Sequence, residues 1–458
     1  MRASLPRRGC QIHQGDAFLL LSNLIDEVSR LPAYQRYGRV TSVLGMLVEV
    51  GGFPREVAVG GRAEVLTQDN RRVLCEVVGF RNGQALLMPF GTLDGIGLGC
   101  KVEVAAGASL IYPHESWLGR VVDALGRPID GKGPLLQGSR AYPLRASPPP
   151  PHARKRVQGK IDLGVRAINT FLSCCRGQRM GIFSGSGVGK SILLSMLARY
   201  TAAEATVIGL VGERGREVQE FLEDDLGPEG LARSIVVVAT SDESPLMRRQ
   251  AALLTLAIAE FLRDSERDVL CLIDSLTRFA TAQREIGLSA GEPPTTKGYT
   301  PTVFAELPKL LERAGPGTGK GSITGLFSVL VEGDDQNEPI ADACRAILDG
   351  HIVLDRAIAE RGRYPAVDIL RSMSRSMPQC NSEAENKLVG TARQHIATYE
   401  NMAELIRLGA YRRGSDKAVD EAMNIYPALD AFLAQKKEER SDLASGYAQL
   451  QAVLGAKP

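Results

Sequence analysis

Residues 179–191, RMGIFSGSGVGKS, constrain the chain more than any other stretch. Arg179 to Phe183 read as a short buried strand, and Ser184 to Gly189 as a glycine-rich loop. Lys190 and Ser191 then open a helix that continues through ILLSMLARY. Strand, glycine-rich loop, Lys-Ser and helix, in that order, form a phosphate-binding loop. Gly185, Gly187 and Gly189 lack a Cβ, so backbone N–H groups can turn inward on phosphate oxygens. The helix start adds unpaired N–H donors and a positive dipole end. The block Gly185, Ser186, Gly187, Val188, Gly189, Lys190, Ser191 and Ile192 is therefore the expected nucleotide cradle. Within it, Lys190 supplies a point charge for the β- and γ-phosphates, and Ser191 a hydroxyl for Mg²⁺. The strict pattern begins with Gly, and here that position is Ser184.

The 458 residues suggest about three domains. A formal net charge of +2 gives no bulk electrostatic case for nucleic acid, and 5% aromatic residues are too few for a base-stacking platform. None of the eight cysteines forms a C-x-x-C pair, and several lie in apolar runs such as VLCLID. That pattern predicts reduced, mostly buried thiols in the cytosol. No apolar run has the length of a bilayer span. The N-terminus, MRASLPRRGCQIHQGDAFLLLSNLI, is interrupted by His13, Gln14 and Asp16 and has no A-x-A-like site, so it is not read as a signal peptide.

Residues 1–35 contain an amphipathic stretch, DAFLLLSNLIDEVSRL at 16–31, with Leu21, Leu24, Ile25, Val28 and Leu31 at helical spacing. It is expected to dock a partner or to pack on the neighbouring domain. Residues 36–115 alternate short β-rich runs with glycines and an Asn82-Gly83 turn, which predicts a small β-barrel or sandwich. Residues 116–155 are rich in Gly and Pro, with Pro148 to Pro151 in a row, and read as a stiff connector. Residues 156–379 alternate apolar runs, ATVIGLVG, SIVVVATS, VLCLID and SITGLFSVLVEG, with helical stretches. This is the pattern of a mostly parallel α/β sheet covered on both faces. Residues 380–458 read as helices with a solvated charged face.

Two carboxylates stand out. Asp274 ends the apolar run Val269 to Ile273, where a carboxylate downstream of a phosphate loop suits Mg²⁺ through coordinated water. Glu213 follows another apolar run, in LVGERGREV. It either polarises an attacking water or is one more surface Glu in a charged segment.

GERGREV, DSLTRFATAQREIG, GEPPTTKGYTPTVFAELPKLLERAG, EGDDQNEPIADACRAILDGHIVLDR and RYPAVDILRSMSR, together with GRVVDALGRPIDGKGP, resemble one family across roughly residues 20–440. It is the ATPase of the bacterial flagellar protein-export (type III secretion) apparatus, related to the catalytic subunits of rotary ATP synthases. The loop GSGVGKS resembles the flagellar branch more than the GAGGGKS-like loop of virulence-type secretion ATPases. The resemblance implies a RecA-like nucleotidase core between an N-terminal β-barrel and a C-terminal helical domain. It implies Mg²⁺ as cofactor and ATP as substrate. By the same resemblance, Lys190 and Ser191 are the phosphate lysine and the magnesium hydroxyl, Glu213 orients water, and Arg214 neighbours the γ-phosphate. Asp274 is linked to magnesium, with Arg278 close to it, Tyr364 stacks on adenine, and Arg375 is an arginine finger given to a neighbouring subunit. Also implied are a homohexamer, a stator-like regulator bound through the N-terminal helix, a central stalk-like subunit, and chaperone–substrate complexes. Its expected place is cytoplasmic, beneath the export gate at the inner membrane. The rival readings are a virulence-type secretion ATPase, a hexameric RNA helicase-like ATPase and a non-catalytic nucleotide-binding subunit. The aromatic-poor barrel disfavours the helicase, and Glu213 disfavours the non-catalytic subunit.

Overall fold

The computed structural model describes residues 37–54, 57–105, 109–331 and 338–455. The amphipathic stretch at 16–31 lies outside the described residues. Tyr37–Leu44 (β1), Leu47–Gly51 (β2), Arg62–Leu66 (β3), Arg72–Arg81 (β4), Gln84–Pro89 (β5) and Lys101–Val104 (β6) close into a barrel. Alternation decides the closure: Val48, Val50, Val65, Val77, Leu87 and Val102 all point into one buried core. The β4–β5 hairpin turns on two residues, Asn82 and Gly83, both with positive φ (52° and 77°). That is the primed turn whose twist suits a hairpin.

The central sheet contains Val121–Asp123 (β7), Arg179–Ser184 (β8), Ala205–Glu213 (β9), Ser234–Thr240 (β10), Asp268–Asp274 (β11), Ser322–Leu330 (β12), Gly350–Leu354 (β13) and Val367–Ser374 (β14). Their order across the sheet is β14-β13-β8-β12-β11-β9-β10-β7. Neighbours run parallel throughout, except that β14 is antiparallel to β13. The sheet is buried on both faces. Along β9, Ala205, Val207 and Val211 join one apolar cluster, and Ile208 and Leu210 join the other.

Lys190–Tyr200 (α1) follows the glycine-rich loop. Pro245–Asp264 (α2) is capped by Ser244, whose hydroxyl accepts from Met247 N–H, with Pro at its first position. Leu276–Ala290 (α3) is capped by Ser275, which accepts from Arg278 N–H. The remaining long helices are C-terminal: Glu383–Arg407 (α4), Lys417–Leu433 (α5) and Leu443–Gly455 (α6). A capping box between Ser382 and Glu385 starts α4. These helices share a core with α1: Ile396, Phe432 and Leu450 cluster with Leu193 and Leu197.

The segment read as a connector proves to be part of the fold. β7 is the edge strand of the central sheet, pairing Val121–Asp123 with Val236–Val238. Trp117 beside it is fully buried, and its indole N–H donates to the Leu136 carbonyl at 2.7 Å. Arg120 grips Asp130 with two hydrogen bonds, at 2.7 and 2.9 Å. A three-residue strand is too short to show periodicity, so Gly and Pro dominated its signal.

Candidate functional site

The phosphate loop sits at the carboxyl end of β8, in the middle of the parallel strands, where ligands bind in open α/β sheets. Gly187 and Gly189 have φ of 77° and 85°. A Cβ on Gly189 would stand 3.2 Å from the Tyr364 ring, so this glycine is required both by backbone and by space. The loop, α1 and the ends of β9 and β12 enclose a cavity of about 800 Å³. Gly185, Ser186, Gly187, Gly189, Lys190, Ser191, Ile192, Glu213, Arg214, Arg278 and Tyr364 all line it. Val188 does not: it is 1% exposed and packs into the core behind the loop.

The chemistry concentrates on Lys190. Its ammonium donates to Asp274 Oδ1 at 2.5 Å and to Glu213 Oε1 at 3.2 Å. Asp274 ends β11, and Ser328 of the intervening β12 also donates to its Oδ1, at 2.5 Å. Burial works against the Lys190 charge, but Asp274 and Glu213 outweigh it and raise the pKa above its ordinary value. Glu213 is pushed up to about 7, first by burial and then by the negative charge of Asp274. Lys190 counteracts this only in part, because its nearer partner is Asp274. Glu213 is thus poised near neutrality, where a general base is most effective.

Arg278 is brought to the cavity by the Ser275 cap of α3. Gly212, with φ of 72°, makes room under it, since a Cβ there would come within 2.9 Å of Arg278 Cβ. Arg214 is exposed and paired with Glu217 at 3.2 Å. Tyr364 is 44% exposed and divides this cavity from a second, more apolar one of about 570 Å³. That second cavity is walled by Ile192, Leu193 and Met196 on one side and by 434–439 on the other.

Hard oxygen donors fit Mg²⁺. Ser191 lines the cavity together with Glu213, and Asp274 meets the same Lys190 ammonium. No group of three or more His, Cys, Asp or Glu side chains among the described residues would hold a metal by itself. Mg²⁺ keeps several waters and shares the phosphates of its substrate, so it asks few ligands of a protein.

Arg375 stands apart from this constellation. It follows β14, whose last residue Ser374 pairs with Gly350 at the start of β13, whereas Leu354 at the end of β13 pairs with Ser184. The four-residue step from Gly350 to Leu354 is roughly 13 Å of strand, and two strand spacings add about 10 Å sideways. Arg375 therefore lies at the opposite strand ends from its own phosphate loop, beside the edge strand β14 and lining a different cleft.

Sequence reading passed over Arg356 and the 434–439 segment. Arg356 lines the main cavity and its guanidinium donates to the Ser186 carbonyl at 3.3 Å. Its signal was a basic residue just beyond the apolar run HIVL. The 434–439 segment joins α5 to α6, and nothing local marks it; Gln435 N–H donates to the Tyr364 carbonyl at 2.8 Å.

A glycine-rich phosphate loop in a parallel sheet, with a lysine bridging two strand-end carboxylates, defines a P-loop nucleotidase. Family descriptions agree in three parts. Residues 164–374 match the ATP synthase alpha/beta family, nucleotide-binding domain, and residues 40–104 its beta-barrel domain. Residues 381–452 match the T3SS EscN ATPase C-terminal domain. The chain is 57% identical to a flagellum-specific ATP synthase of Caulobacter vibrioides, over 95% of this chain and 99% of that one. It is 46% identical to a type 3 secretion system ATPase of Xanthomonas euvesicatoria, over 92% and 95%. The assembled ATPase EscN of the enteropathogenic E. coli type III secretion system superposes with a TM-score of 0.85, at 37% identity, covering 91% of this chain and all of that one. The chain belongs to the family of flagellum-specific and type III secretion ATPases. It is an ATPase, with a nucleotide as substrate.

Proposed function

We propose that this chain hydrolyses ATP, with Mg²⁺, as one subunit of a six-membered ring that serves flagellar protein export by unfolding or releasing export substrates. The contact that supports the chemistry best is Lys190 held between Asp274 and Glu213 at the mouth of the glycine-rich loop. Incoming phosphates carry more negative charge than either carboxylate, so they draw the Lys190 ammonium onto themselves. That move frees Glu213 to accept a proton from, and align, the attacking water. Ser191 and Asp274 would hold the magnesium ion, directly or through water. When bound, the ion neutralises charge that develops on the β- and γ-phosphate oxygens. Arg278, Arg214 and Arg356 add positive charge around the phosphates. Tyr364 offers its ring to the adenine, next to the apolar wall of Ile192, Leu193 and Met196.

Arg375 acts on a neighbour's site. Its place at the strand ends away from the phosphate loop supports this, because no side-chain rotation carries it back to Lys190. EscN has been described assembled, and in complex with its central stalk EscO. The same arrangement is proposed here: a ring around a stalk-like subunit, with a stator-like regulator on the N-terminal segment, in the cytoplasm beneath the export gate. No helix among the described residues is long and apolar enough to cross a membrane. Phosphate release from Mg-ATP, followed against protein concentration alongside particle size, tests this reading. Activity that rises with assembly, and is unaffected by added RNA, is expected. Activity present only with RNA would favour the helicase-like alternative.

A further inference from the structure

A second cleft, of about 360 Å³, lies at the edge of the sheet away from the phosphate loop. Cys175, Arg375, Ser376 and Cys380 line it together. Cys175 belongs to a short strand, Cys175–Arg176, just before the phosphate-loop strand β8. Cys380 closes the turn after Arg375, its N–H donating to the Ser376 carbonyl at 2.9 Å. The Cys380 thiol donates to Asn381 Oδ1 at 3.6 Å, and it and the Cys175 thiol are neighbours that act on each other's ionisation. Two cysteines 205 positions apart in sequence thus meet at one cleft beside the proposed finger.

We propose that Cys175 and Cys380 are a redox-modifiable dithiol, and that its oxidation by a peroxide ties the Arg375 turn to the base of the phosphate-loop strand. The functional half of this rests on the reading of Arg375 as a finger; the chemical half does not.

The surroundings select Cys175 as the nucleophile. Its thiol is lowered to about 7, mainly by the neighbouring Cys380 thiol, with the Ser376 hydroxyl and the Lys160 ammonium adding to the effect against burial. Lys160 is anchored beside it, with Nζ 2.8 Å from Glu385 Oε1 and over the Tyr447 ring. Cys380 is shifted upward, mainly by the Cys175 thiol, and keeps its proton. The other thiols with a resolved shift are poor competitors. Burial pushes Cys75, Cys271 and Cys344 up to about 12, and Cys174 higher still. A low thiol beside a resolving thiol is the pairing used by reversible redox sensors, and Cys175, 2% exposed, is open to a peroxide only through the cleft it lines.

The steps balance. The Cys175 thiolate attacks one peroxide oxygen, the O–O bond breaks, and a sulfenic acid forms as hydroxide departs. Cys380 then attacks that sulfur. Its proton leaves with the sulfenic oxygen as water, and the S–S bond forms. Two thiols give up two electrons, and one hydrogen peroxide becomes two waters once the hydroxide is protonated. Thiol exchange with dithiothreitol reverses the bond.

The consequence follows from the turn. Residues 375–380 must let the Arg375 guanidinium, now donating to the Arg345 carbonyl at 3.3 Å, leave and reach a neighbouring site. A covalent bond five residues along restrains that departure without touching the phosphate loop.

The full-length protein, reduced and then treated with hydrogen peroxide, tests the proposal. Peptide mapping by mass should find Cys175 linked to Cys380. Turnover should fall by about fivefold or more, the low end of coupling between distinct sites, with nucleotide affinity unchanged. Dithiothreitol should restore it. Cys380→Ser should keep basal turnover and lose the reversible response, and Cys175→Ser should be insensitive. Absence of the linked peptide overturns the dithiol, whatever Arg375 does. A linked peptide with undiminished turnover overturns the restraint and leaves the finger reading intact.

Discussion

At the scale of single residues, the account turns on how one lysine is shared. Asp274 is the stronger anchor of Lys190 and Glu213 the weaker, which leaves Glu213 the carboxylate free to change its proton occupancy. Glu213→Gln should bind Mg-ATP with near-normal affinity and turn over about 10²–10⁴-fold more slowly, the range for loss of a positioned base. Nucleotide titration and single-turnover phosphate release separate those two effects; near-normal turnover would remove Glu213 from the chemistry. Lys190→Ala should weaken binding as well, because it deletes the charge that the phosphates seek. The pH dependence has a definite sign. The folded protein holds Glu213 at about 7, above the ordinary carboxylate value, so it is protonated and inactive as a base below that pH. In the wild-type protein kcat/KM, which reports the free enzyme, should therefore fall as pH drops through about 7. A profile that stays flat well below neutrality would contradict this.

At the scale of elements, the barrel is fastened to the nucleotidase by a buried ion pair. Arg249 of α2 reaches both oxygens of Glu76 in β4 at 2.7 Å, and both side chains are 4% exposed. Glu76→Ala should leave a buried guanidinium with one partner removed, at a cost of about 3–5 kcal/mol, seen as a lower denaturation midpoint. A change within about 0.5 kcal/mol, the range of ordinary surface substitutions, would mean that the pair holds nothing together. Elements also explain what could be read from the sequence. The strands β9, β10, β11 and β12 are long apolar runs buried on both faces, and their alternation with helices was plain. The barrel showed itself through period-two alternation and one Asn-Gly turn. β7 was hidden by its length of three residues and its Gly- and Pro-rich flanks. β13 and β14 were not separated either, since β14, VDILRSMS, mixes buried and exposed positions as an edge strand does. The loop, Lys190, Ser191 and Asp274 could be read from local pattern alone. Glu213 and Tyr364 could not, because their meaning depends on residues far along the chain. Lys190 reaches Glu213 across 23 positions, and Gly189 sits under Tyr364 only after folding.

At the scale of the whole molecule, the proposed function makes the site of one chain incomplete. Its phosphate loop opens at the carboxyl end of the internal strand β8 and its Arg375 lies at the opposite strand ends, beside the edge strand β14, so in the proposed ring a neighbour's Arg375 would complete each site. Isolated chains should be slow, and specific activity should climb with protein concentration as rings form. Arg375→Lys should bind ATP and hydrolyse it poorly, because an ammonium lacks the planar fork of donors and such fingers are worth about 10³–10⁵ in rate. The most direct measurement mixes Arg375→Ala with Lys190→Ala, each inactive alone, and follows phosphate release while particle size confirms joint assembly. Some interfaces in a mixed ring pair an intact loop with an intact arginine, so partial activity is predicted to return. Mixed rings that assemble and stay inactive would contradict the shared site.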